Sequence, residues 1–117
     1  MNLDIDTVRR HLAVAPVNAR VLPENASVVI RDDAGLGNAA VFHYDWRLQS
    51  GAPSRGITVK LPAVVMERFA AADRRERERI EETILRIIRV RLAQGGYQEV
   101  DPPEPPLVVT FYDHDFD

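Results

Sequence analysis

Apolar positions recur along this chain in two periods, one of about 3.6 residues and one of two, the spacings of helices and strands. The longest stretch of helical period runs from Asp73 to Gln94 (DRRERERIEETILRIIRVRLAQ). Ile80, Ile84, Ile87 and Ile88 recur at helical spacing, with Leu85 and Leu92 on one flank. Arg75, Glu78, Arg79, Glu82, Arg86 and Arg89 take the opposite side, which makes an amphipathic helix that needs a surface to cover. Asp73 and Glu76 form a D-x-x-E start, in which the Asp side chain takes a free backbone N–H and the Glu reaches back. Gly95 and Gly96 close the helix, because glycine enters the left-handed conformation without steric cost. A first helix is predicted from about Ile5 to Val14, capped by Asp4, with Ile5, Val8 and Leu12 as its buried stripe. Pro16 is expected to end it, since a residue before proline is pushed out of the helical region. A short helix from Pro62 to about Ala71 buries Val65 and Phe69, with Met66 beside them; the capping box at Asp73 favours a break there over the alternative, a single bent helix through residues 62–94.

The two-residue period is clearest from Ala40 to Gln49. Phe42, Tyr44, Trp46 and Leu48 point one way, and Val41, His43, Asp45 and Arg47 the other. Ser27–Arg31 (SVVIR) and Ile57–Leu61 are further strands, the second with Thr58 and Lys60 on its polar face. Asp32 to Asn38 (DDAGLGN) is turn chemistry and predicts a hairpin. Its Gly-x-Gly is not a phosphate cradle, because a strand follows it where a helix would be needed. Asp101 to Pro106 (DPPEPP) predicts a stiff extended spacer, roughly 3 Å per residue. It leads to a last strand, Leu107–Tyr112, that is apolar on both faces, and Asp113–Asp117 is expected to fray. The assembled expectation is one α+β domain over residues 1–117 in the order α-β-β-β-α-α-β. Its antiparallel sheet has three to four strands, and helices pack on one face.

Composition adds exclusions. The 117 residues contain no cysteine, which removes disulfides and thiolate metal sites, and no apolar run reaches the ~20 residues of a membrane span. The N-terminus (MNLDIDTVRR) carries no apolar signal core, so a cytoplasmic location is expected. The net charge of −3 hides a segregation: residues 74–98 hold seven arginines against four glutamates, and residues 99–117 hold six acids and no Lys or Arg.

Candidate chemistry is sparse. His43 and Asp45 lie two apart on one strand face, an arrangement in which a carboxylate orients an imidazole as a general base. Their nucleophile would have to come from Ser27, Ser50, Ser54 or Thr58 in space. His11 reads as a solvated helix residue. Asp113, His114, Asp115 and Asp117 supply metal-ligand types, on a terminus with no calcium-loop spacing. No zincin, P-loop, dinucleotide or nucleophile-elbow motif occurs, so no catalytic, cofactor or metal residue is assigned and no cofactor is expected. Arg91 falls within the isoleucine stripe and predicts either a snorkelling side chain or a paired charge.

The order α-β-β-β-α over about residues 5–94 resembles the double-stranded-RNA-binding domain. That resemblance implies phosphate contact from a Lys-rich start of the final helix. Here the corresponding stretch, Asp73 to Arg79, alternates arginine with acid, and an extra helix and strand are present. Nucleic acid is therefore not the expected partner. The leading expectation is a non-enzymatic interaction or assembly module that forms a homodimer, with the doubly apolar last strand as a route to self-association. A nucleic-acid-binding domain and a small enzyme using His43 and Asp45 are the alternatives.

Overall fold

The computed structural model describes residues 2–31, 37–95 and 106–117. Three helices and four strands follow one another as α1 (Ile5–Asn18), β1 (Ser27–Arg31), β2 (Ala40–Asp45), β3 (Ile57–Leu61), α2 (Ala63–Ala71), α3 (Arg74–Gly95) and β4 (Leu107–Thr110). A 3₁₀ turn, Asp113–Phe116, closes the chain. The strands lie in the order β1-β2-β3-β4. The pairs β1–β2 and β2–β3 are antiparallel, but β4 runs parallel to β3. The sheet is therefore mixed, which corrects the antiparallel expectation. The reason is the connection: short loops reverse the chain between the first three strands, whereas α2 and α3 return it to the same end of the sheet before β4.

One face of the sheet meets the helices. Phe42, Tyr44, Ile57, Val59 and Val109 share a core with Val8 and Leu12 of α1, Val65 and Phe69 of α2, and Ile80, Ile84 and Ile88 of α3. The isoleucine stripe thus joins the same core as the aromatic strand, while the strand that α3 itself lies against is β4, and Ile87 is half-buried at the margin of the stripe. Beyond Asp45 the ladder stops and the strand is shorter than the alternation suggests. Trp46 stays buried, its N–H held by Ser54 Oγ at 3.1 Å, and Arg47 makes only an isolated bridge to Pro53.

Helix ends account for much of the local order. Asp4 caps α1 through Thr7 N–H (2.8 Å), and Asp73 caps α3 through Glu76 N–H (2.9 Å). The Glu76 carboxylate binds Arg79 (2.5 Å) and lies 3.5 Å from Arg68. Between α2 and α3, Ala72 is extended (ψ 156°), and the Arg77 guanidinium donates to the carbonyls of Phe69 (3.1 Å) and Ala70 (3.0 Å). Both are carbonyls at a helix end, and Arg77 shares the first with Ala72 N–H (3.3 Å) and the second with Leu3 N–H (3.0 Å).

Two expectations fail here. First, α1 runs through Pro16 to Asn18. Proline removes only the N–H that would serve the carbonyl of Leu12, and Pro16 sits buried in the last turn, so burial of that turn outweighs one missing bond. Tyr44 hydroxyl donates to the neighbouring Ala13 carbonyl at 2.6 Å, and burial pushes the phenol pKa upward. Second, the C-terminus is anchored rather than frayed. Phe116 is fully buried against Phe111, with ring centroids 5.9 Å apart. Arg68 donates to its carbonyl (3.3 Å) and lies 3.5 Å and 3.7 Å from Asp113 and Asp117. Most of the proline-rich spacer, residues 101–105, and the hairpin tip, residues 32–36, lie outside the described residues. No helix among the described residues is long and apolar enough to cross a membrane.

Candidate functional site

The pleat that sends Phe42 and Tyr44 into the core sends Val41, His43 and Asp45 to the other face. Register then assembles that face from all four strands. Val29 pairs with His43, His43 with Thr58, and Thr58 with Val108, a row running across the whole sheet. A second row joins Arg31, Val41, Lys60 and Thr110. A third holds Ser27 opposite Asp45. Among the described residues no element packs over this face, and Val29 and Val108 are 58% and 45% exposed.

His43 is the centre of the middle row. Its Nε2 lies 3.1 Å from Asp45 Oδ2, and its Nδ1 lies 2.9 Å from Thr58 Oγ1. A carboxylate only accepts, so in the neutral ring Nε2 carries the hydrogen and Nδ1 accepts from the threonine hydroxyl. Gly56 makes room for this chain. It holds φ +80°, and a Cβ there would stand 3.1 Å from both Asp45 Oδ1 and the Tyr44 carbonyl. Asp45, His43 and Thr58 therefore form a carboxylate–imidazole–hydroxyl relay, of the kind that activates a nucleophile.

The relay lies on the face of the sheet that no described element covers. What the relay does is hold three polar side chains in fixed positions at the middle of the face. Of the other hydroxyls that sequence pointed to, Ser54 accepts from the N–H groups of Trp46 and Gly56, and Ser50 accepts from Ala52 N–H. Ser27 stays in the Asp45 row.

The charges on this face are polar in arrangement. Arg31 and Lys60 flank Val41 at one end, and Asp45 stands at the other, four residues along β2, about 13 Å away. Neither cation has an ion pair among the described residues.

The remaining candidates settle elsewhere. His11 bridges α1 to α3 by meeting Glu81 at 2.5 Å, and its ring lies 5.7 Å from that of Phe69. It lines a cleft of about 500 Å³ with Leu3, Thr7 and Arg77. Arg91 donates to the Val108 carbonyl (3.3 Å), tying α3 to the edge strand. His114 stacks on Tyr112 at 5.6 Å, and no metal-competent cluster of His, Asp and Glu occurs among the described residues. Sequence reading missed the valines. In SVVIR and LVVTFY apolar residues occupy both parities, so nothing local says which valine faces out. Compared with known proteins, the chain matches no family model, no curated sequence and no solved structure.

Proposed function

We propose that this chain is a non-enzymatic protein–protein interaction module that forms a homodimer through the open face of its sheet. The observation that carries this reading is the uncovered row Val29–His43–Thr58–Val108, which places two exposed valines on one continuous face. Parallel strand pairs are ordinarily covered on both faces, and the β3–β4 pair here is covered on one among the described residues. With β4 already paired to β3 of its own chain, the association needs no exchanged strand; β4 contributes Val108 instead. The face measures about 19 Å by about 17 Å from ordinary strand spacings. That is smaller than the roughly 800 Å² per partner of a standard interface, so the dimer is weak and dissociates on dilution.

Light scattering over a concentration series tests this. The wild-type mass should rise from 13.2 kDa toward twice that value. Val29→Lys and Val108→Lys should each hold the monomer mass with little change in thermal unfolding. A wild-type chain that stays monomeric at every concentration, or a dimer indifferent to both lysines, defeats the proposal.

A further inference from the structure

We infer that two copies stack face to face with their strands antiparallel, so that Asp45 of each copy enters the gap between Arg31 and Lys60 of the other. This rests on the reading of the open face as a homodimer surface. A closed two-fold dimer of stacked sheets has its axis in the plane between them, and two orientations use the whole face. An axis along the strands lays each row over itself. Arg31 and Lys60 then meet a second Arg31 and Lys60, and like charges oppose the contact. An axis across the strands lays each strand over its own counterpart with the rows reversed.

In that second arrangement β2 lies over β2, and Asp45 comes opposite Val41 of the other copy. Register puts Arg31 and Lys60 on either side of Val41, one strand away in each direction. Each carboxylate thus faces a small apolar side chain between two cations that have no ion pair among the described residues. The contact forms twice by symmetry. The middle row meets itself, so Val29 lies over Val29 and Val108 over Val108. Aligned sheets pack about 10 Å apart with a crossing of about 30°, which displaces the outer strands modestly and leaves the central β2–β2 contact in place. The Asp45–His43 bond holds the carboxylate on the outward face before the partner arrives.

Charge exchange tests the arrangement in the full chain by sedimentation equilibrium. Asp45→Lys alone, and the double variant Arg31→Asp with Lys60→Asp, should each weaken self-association about tenfold or more. An equimolar mixture of the two should recover dimer, because every reversed pair then finds its complement. Recovery also shows that both variants are folded. Single-cysteine chains supply a second readout, since the protein has no cysteine of its own. Val29→Cys should cross-link to itself with a short bis-maleimide. If instead the double variant associates more tightly, or Val29→Cys links only to Val108→Cys, the axis lies along the strands and the inference fails. If wild type dimerises and Val29→Lys abolishes it while both charge variants dimerise normally, the register fails and the open-face reading stands. A monomeric wild type removes both.

Discussion

Arg20 occupies the position at the end of α1 that glycine usually holds. Its φ is 59°, in the left-handed region, and it is the residue just beyond the cap Ala19. Its N–H bonds the Val17 carbonyl at 3.1 Å, and the N–H of Val21 bonds the Pro16 carbonyl at 2.9 Å, the two contacts of a Schellman ending. A side chain in this conformation meets its own carbonyl, so Arg20→Gly should stabilise the fold by about 0.5–1 kcal/mol and raise the melting temperature by a few degrees. An unchanged or lower melting temperature would show that the arginine side chain contributes more at the surface than its backbone costs. The opposite case is Gly56, where the positive φ and the crowding beside Asp45 both call for glycine. Neither conformation is written in the local sequence, because arginine carries no preference for a left-handed turn and a lone glycine does not say what stands over it.

Among the elements, the caps were legible because they are local: Asp4 and Asp73 each reach an N–H three residues away or fewer. The closing turn was not. Its residues, DHDFD, read as a solvated tail, and only the partner side chains waiting around Phe116 give it order. Phe116→Ala should therefore cost about 3–5 kcal/mol, since it empties a fully buried aromatic site. That is a large part of the roughly 5–15 kcal/mol that holds a domain of this size together. Urea unfolding reads the cost, and a loss below about 1 kcal/mol would mean that the turn is dispensable. Pro16 teaches the complementary point. The rule that proline ends a helix describes an isolated turn, and it yields where the turn is buried and its last carbonyls are bonded by the loop that follows.

At the scale of the molecule, stability should fall in acid through identifiable carboxylates. The Thr7 backbone hydrogen bond holds Asp4 below its ordinary pKa, and the Arg79 hydrogen bond does the same for Glu76. A carboxylate whose folded pKa is depressed stabilises the fold above its unfolded value, near 4, and loses that contribution as pH falls through the folded value. The melting-temperature gap between wild type and the variants Asp4→Asn and Glu76→Gln should be largest near neutrality and close below about pH 4. A gap of constant size down to the acid limit would locate the effect elsewhere than in these charges.

The spacing of Ile80, Ile84, Ile88 and Leu92, the alternation of Phe42, Tyr44 and Trp46, and the capping aspartates were determined by sequence alone, because each is a relation among residues a few positions apart. An amphipathic rod and a half-apolar ribbon each need a surface to cover, and a chain that holds both in one core is of the α+β class. The tertiary structure alone decided that β4 runs parallel to β3, that Phe116 is core, and that Val29, His43, Thr58 and Val108 form one row. Those four residues come from four strands, and their adjacency depends on register, which is set by how the core packs rather than by anything that neighbouring residues encode.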